Sequence, residues 1–319
     1  MRDGKTTRFR LISAGAGSGK TYSLTAMLEQ LLATGEVTPA GVIATTFTRR
    51  AAAELRQRVR ARLIESGRLS VANRMERAMI GTVNSVCGEL LGRFAFEAGI
   101  PPEQRVLDDA QGDRLFYQAM EQSLSDDIGL MRSMNACCHR LQILDRQQQL
   151  NWRAEVKAIV DAARANNQGA DDIRALGARS ADELLAFLPK PVARDLDRQL
   201  LNAIEAALAG IDTESDTTAR TRNYLTTITG IRAGLYKERA TWTEWIKLGK
   251  EAPGARSREL ASPVAEIAAH YERHPGLHRD IRFFAEQLFN IAAASLDAYQ
   301  AMKNQRGLID FVDQEQRLY

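Results

Sequence analysis

Residues 14–21 read Ala-Gly-Ala-Gly-Ser-Gly-Lys-Thr. Glycines at this spacing open backbone conformations closed to other residues, so that successive N–H groups can converge on one anion. Lys20 adds a cation of the right reach for the β- and γ-phosphates of a nucleotide, and Thr21 adds a hydroxyl suited to Mg²⁺. Ala14, Gly15, Ala16, Gly17, Ser18, Gly19, Lys20 and Thr21 together have the makings of a P-loop, a cradle for MgATP. Ala14 stands where the general pattern has glycine. The alternative is a glycine-rich turn with a chance Lys-Thr, which would have no need of a strand before it and a helix after it.

Two further clusters carry polar chemistry. Residues 45–55 read TTFTRRAAAEL, with Phe47 between threonines and ahead of a run of arginines. An aromatic ring at a strand end can stack on a nucleic-acid base. Thr46, Thr48 and Arg49 are placed to hold the neighbouring phosphates. The alternative is a core phenylalanine followed by a solvated charged face. Residues 80–87 read IGTVNSVC. Here Thr82, Asn84 and Ser85 can either contact phosphate or cap a helix, with Ser85 as the expected N-cap.

The elements that must position these clusters follow from periodicity. Residues 9–13 (FRLIS), 41–47 (GVIATTF) and 79–83 are short apolar runs of strand type. Helices are predicted over 20–33, 49–66 and 85–99, the second with Leu55, Val59 and Leu63 in one stripe. Strands alternating with helices imply βαβ units and a parallel sheet, in which ligands gather at the carboxyl ends of the strands. From residue 109 to about 302 the pattern is helical almost throughout. Breaks at 166–169, 189–191, 210–217, 250–253 and 274–276 predict five to seven helices. After Gly307 the run LIDF reads as a return to the α/β part.

Composition narrows the classes. Of 319 residues, 45% are hydrophobic and 26% charged, ordinary for a globular chain. Net charge is only +3, yet nine arginines against three glutamates lie between residues 49 and 77, so the basic character is local. Three cysteines without ligand spacing argue against a disulfide framework and a zinc site. The polar start has no signal-peptide core, and no apolar run is long enough to span a bilayer, which predicts a cytoplasmic setting with no membrane partner.

In order, the three clusters resemble the UvrD/Rep/RecB family of superfamily 1 DNA helicases. AGAGSGKT is similar to that family's Walker A, TTFTRRAAAELRQR to its motif Ia (TFTNKAA-x-E-M-x-x-R), and GTVNS to its motif Ib (GTFHS). Residues 307–313 (GLIDFVD) resemble the stretch just before the family's Walker B strand. The short start RFRLISAGAGSGKTYSL looks more like the RecB and AddA branch. Asn84 stands where the family has His, and Arg49 where it has Asn.

The resemblance implies an α/β fold: an incomplete RecA-like P-loop domain (1–106, with 303–319 returning to it) interrupted by a large all-helical insertion domain (107–302). It implies an N-terminal motor segment of an ATP-dependent helicase acting in DNA repair or recombination. ATP and Mg²⁺ would be bound by Lys20 and Thr21, with Tyr22 packing on adenine. Single-stranded or partly duplex DNA would lie on Thr46, Phe47, Thr48, Arg49, Thr82, Asn84 and Ser85. A nuclease domain or subunit is an implied partner.

No DE-x-QD Walker B matches; Asp313 and Glu315 do not follow an apolar strand. This stretch is therefore expected to be inactive in hydrolysis by itself and to leave an exposed apolar sheet edge or an interface with another copy. The rival readings are another P-loop ATPase, or a non-enzymatic helical module that binds DNA or a partner.

Overall fold

The computed structural model describes residues 11, 19–101, 105–125, 127–144, 147 and 151–318. The expected first strand (9–13) and most of the P-loop (14–18) lie outside them. The chain divides into two compact units, residues 1–106 with 309–319, and residues 107–308.

In the first unit the described chain opens with helix α1 (Lys20–Ala33), then strand β1 (Ile43–Thr46), helices α2 (Arg49–Glu65) and α3 (Leu69–Asn73), strand β2 (Met79–Thr82) and helix α4 (Val83–Arg93). β1 and β2 are parallel neighbours, in register Ile43 with Met79 through Thr46 with Thr82. The stripe Leu55, Val59 and Leu63 of α2 is buried against Leu28 and Leu32 of α1, and Val42 and Ile80 complete this core. β1 has no second strand beside it among the described residues, and its Ile43 is 56% exposed.

Short strands β3 (Arg105–Val106) and β4 (Leu308–Ile309) pair where the chain leaves this unit and re-enters it. The return ends in a short helix, Phe311–Gln316, packed on α4. Gly88 of α4 permits that approach, because a Cβ there would meet Gln314 Nε2 at 2.9 Å.

The second unit is helical. Its nine described α-helices are α5 (Asp109–Leu124), α6 (Ile128–Leu141), α7 (Trp152–Ala165), α8 (Ala170–Leu185), α9 (Leu196–Gly210), α10 (Ala219–Tyr236), α11 (Trp242–Leu248), α12 (Arg258–Ala268) and α13 (Pro275–Gln305), with α14 being the return helix of the first unit. At 31 residues α13 runs about 46 Å at 1.5 Å per residue. It packs against α5, α6, α7 and α8 around a core that includes Phe116, Met134, Trp152 and Ile173. A second core joins α9, α10, α11 and α12 through Leu200, Ile204, Ile228 and Trp245.

Nine helices correct the expected five to seven: the five expected breaks separate six, and three further ones part α5 from α6, α6 from α7 and α10 from α11, two of them at residues of positive φ. The chain turns out of α6 at Gln142 and out of α10 at Glu238, non-glycine residues at φ 55° and 54°. Without Gly or Pro there, the periodic pattern runs on unbroken in the sequence.

Two polar knots hold this unit. Asp280 accepts Arg140 Nε at 2.8 Å and Trp242 Nε1 at 2.9 Å. Asp216, buried, accepts hydroxyl hydrogens from Ser257 at 2.7 Å, Thr221 at 2.8 Å and Thr218 at 2.9 Å. Those donors hold its carboxyl at about 2, below the usual 3.8.

Candidate nucleotide and nucleic-acid site

Gly19 is the N-cap of α1 and adopts the left-handed conformation at φ 79°, which a side chain would strain. It gives the helix no side-chain cap, and no acidic residue stands in the first turn. The N–H groups and dipole at this helix start are therefore not countered by a local carboxylate. Thr21 is exposed, and its carbonyl accepts from the buried Thr25 hydroxyl at 2.6 Å. Tyr22, expected to pack on adenine, is 66% exposed, with the Arg62 guanidinium 4.3 Å from its ring centre.

The ends of β1 and β2 are brought side by side by the parallel register, Thr46 opposite Thr82. Each strand runs straight into a helix, β1 into α2 and β2 into α4. Neither helix has an acidic residue in its first turn. Phe47 lies between strand and helix and is 102% exposed, so it is not a core residue. Arg49 opens α2, is exposed, and has no acidic partner among the described residues. The next basic residue differs: Arg50 Nε lies 3.1 Å from Glu54.

The hydroxyls of this edge divide into two sets. Thr48 caps α2, its oxygen accepting from Ala51 N at 3.1 Å. Thr82, not Ser85, caps α4, accepting from Ser85 N at 3.2 Å. This corrects the expected cap, and α4 accordingly begins at Val83 and ends at Arg93 rather than near Gly99. The reason is that Thr82 keeps extended backbone at ψ 160°, which leaves Ser85 as the third helical residue.

Thr46 donates to Thr48 O at 2.9 Å, Thr82 to Ser85 Oγ at 3.1 Å, and Ser85 to Thr82 O at 2.9 Å. Those three hydroxyl hydrogens are engaged inside the protein. The Thr48 hydroxyl hydrogen and the half-buried Asn84 amide have no such acceptor among the described residues. Gly81 lies against the same knot: a Cβ there would sit 2.3 Å from Ser85 Oγ and force that hydroxyl to turn away.

Two contacts had no signal in the sequence beyond an abundance of arginine. Arg56 Nη2 donates to Ile80 O at 2.7 Å, tying α2 to β2. Arg62 stacks on Tyr22. Burial and then Glu315 raise the Cys87 thiol, on α4, above its ordinary range, which disfavours the thiolate. Asp310 and Asp313 are buried in a reciprocal cap of α14, Asp313 N donating to Asp310 at 3.0 Å and Asp310 N to Asp313 at 3.1 Å.

Comparison with known proteins gives one family. Residues 4–317 match the UvrD/REP helicase N-terminal domain. Over 129 residues the chain is 36% identical to an ATP-dependent helicase/nuclease component of Limosilactobacillus fermentum, covering 36% of this chain and 10% of that protein. It is 32% identical over 111 residues to DNA helicase II of Haemophilus influenzae, covering 35% and 15%. With the DNA helicase PcrA of Staphylococcus aureus it shares 38% identity over 98 residues, covering 31% and 12%. The matched stretches are thus a small part of each relative's length.

Proposed function

The chain belongs to the UvrD/REP helicase N-terminal domain family, and from that premise we propose that it is the N-terminal motor segment of an ATP-dependent DNA helicase or translocase. In this reading the first unit is the opening part of a RecA-like P-loop domain and the second is an accessory domain inserted into it. The relatives named as DNA helicases support action on DNA. The relative named as part of a helicase/nuclease supports a nuclease domain or partner for the intact protein, in repair or recombination. No described helix is long and apolar enough to cross a membrane, and we read the setting as cytoplasmic.

One observation carries the nucleic-acid half. The register of β1 and β2 sets Phe47, Thr48 and Arg49 beside Thr82–Ser85 on one sheet edge, with the Phe47 ring wholly in solvent. An exposed ring flanked by helix starts that lack acidic residues suits a flexible strand, whose bases stack and whose phosphates need donors. Phe47 would take a base. Thr48, Arg49 and Asn84 hold donors for phosphate, while Thr46, Thr82 and Ser85 shape the loops through the hydrogen bonds described above.

The nucleotide half rests on residues 14–21. The left-handed Gly19 and the uncapped start of α1 fit the phosphates of ATP. Lys20 would neutralise the β- and γ-phosphates, Thr21 would hold Mg²⁺, and Tyr22 would meet the base. When bound, Mg²⁺ offsets charge on the phosphate oxygens. The 319 residues supply the phosphate side of the site, and we expect binding without rapid turnover from them alone.

Calorimetry on the 319-residue chain tests this. MgATP should bind, and Lys20→Ala should abolish the binding. Single-stranded DNA should bind more weakly as salt rises, because phosphate contacts release counterions. Equal nucleotide affinity in the Lys20 variant, or a DNA affinity indifferent to salt, would sink the assignment.

A further inference from the structure

We infer that the groove between the end of α8 and the start of α13 docks an acidic amphipathic segment of a partner protein, large apolar side chains flanked by carboxylates. The groove lies wholly within the helical unit, so the inference stands apart from the nucleotide and nucleic-acid reading above. Leu185, Leu188, Pro191 and Pro275 line it, and its volume of about 670 Å³ falls in the roughly 300–1,000 Å³ range of binding pockets. The turn that leaves α8 is closed by Phe187 N donating to Leu184 O and Leu188 N to Leu185 O, at 3.3 and 3.0 Å. It packs Leu188 on the second core of the unit and leaves Leu184 52% and Phe187 87% exposed. Single exposed apolar residues are ordinary; an apolar groove with an exposed aromatic beside it marks an interaction site.

The walls are fixed before anything binds. Lys190 stands between Pro189 and Pro191. The two rings set φ on either side of it, and the second holds Lys190 in extended backbone. Val192 N donates to Arg273 O at 3.0 Å, which ties this loop to the turn ahead of α13. The opposite wall is the start of the 31-residue helix, with Pro275 at its first position. A groove built this way adds little ordering cost to association.

Charge selects the occupant. Arg282 is already taken, lying 2.6 Å from Asp182 and 3.2 Å from Glu286. His278 Nε2 is 2.9 Å from Glu272 O. Lys190 and Arg279 are exposed and have no acidic partner among the described residues, and no carboxylate lines the groove. Apolar side chains in the groove with carboxylates reaching those two cations would complement both features. Nucleic acid suits the surface less, because it is held by many phosphate contacts on polar, strongly positive surfaces. A second copy presenting this same face across a two-fold axis would bring like charges together.

The test is fluorescence anisotropy on the 319-residue chain with a short labelled peptide of leucine and tryptophan interleaved with glutamate. Two control peptides replace the glutamates by lysine, or the leucine and tryptophan by alanine. The first peptide should bind and both controls should bind more weakly. Phe187→Ala should weaken binding at least about five-fold, the mark of an interface anchor. Lys190→Gln and Arg279→Gln should each weaken it about two- to five-fold, the upper range for an exposed ion pair. In the double variant Lys190→Glu with Arg279→Glu the preference should reverse in favour of the lysine peptide, a gain that a folding defect cannot produce.

The inference is overturned if the acidic peptide does not bind, if the lysine peptide binds the unaltered chain equally well, or if the double variant shows no reversal. It is also overturned if the same substitutions weaken a labelled oligothymidine and not the peptide, which would make the groove a nucleic-acid surface. Sedimentation equilibrium decides the remaining alternative: a dimer that Phe187→Ala converts to monomer would mean that a second copy covers the groove.

Discussion

Replacing Phe47 by alanine separates a nucleic-acid contact from a structural role. The ring is 102% exposed, so its removal takes no packing from the core, and the melting temperature should not move. A phenylalanine buries about 150–250 Å² when fully covered. A base stacked on one face covers about half of that, roughly 100 Å². At about 25 cal/mol per Å² this is about 2.5 kcal/mol. The figure falls within the roughly 1–3 kcal/mol found for base–aromatic stacking.

Taking about 2 kcal/mol, the Kd for a single strand should rise about 30-fold. Fluorescence anisotropy with a labelled oligothymidine at one fixed, low salt concentration measures this, and Phe47→Trp should retain the affinity. An unchanged Kd would refute the stacking argument. A lowered melting temperature would refute the exposure on which the magnitude was built.

Two further perturbations probe the supporting structure. Gly81→Ala should drive Ser85 Oγ from its place, since the new Cβ would lie 2.3 Å from it, and break the paired hydrogen bonds with Thr82. The expected cost is about 1–2 kcal/mol in urea unfolding. Adding Ser85→Ala should cost less than the sum of the single changes, because the clash is gone; full additivity would mean that Ser85 is not the obstacle. Asp216 gives an acid dependence. Its folded value of about 2 lies below the ordinary 3.8, so its stabilisation is complete above 3.8 and is lost as pH falls toward 2. Asp216→Asn should lower the urea midpoint at neutral pH and flatten its fall across that window; the same slope in both proteins would remove Asp216 as its source.

Much of the local architecture was legible from residue order. The spans of α1 and α2 follow from apolar repeats, and the stripe Leu55, Val59, Leu63 is buried as its spacing predicts. Of the five breaks anticipated in the helical stretch, 166–169, 189–191 and 250–253 fall between helices, while 210–217 begins on the last residue of α9 and 274–276 runs into the first turn of α13, because Gly, Pro and polar clusters act on the backbone where they stand. Family membership was readable too, since it rests on short ordered motifs rather than on packing.

What sequence order left open were facts between distant residues. Whether Phe47 packs inside or stands in water depends on what covers the end of β1, and only the folded unit decides for exposure. The meeting of the Phe47 and Thr82–Ser85 segments depends on the parallel register of strands 36 residues apart, Ile43 against Met79. Arg56 reaching Ile80 O and Arg62 covering Tyr22 likewise need α2 docked in place. Gln142 and Glu238 turn their helices aside without any residue that demands it. In each case residue type sets what a group can do, while the choice among options is made by the surfaces that other segments press against it.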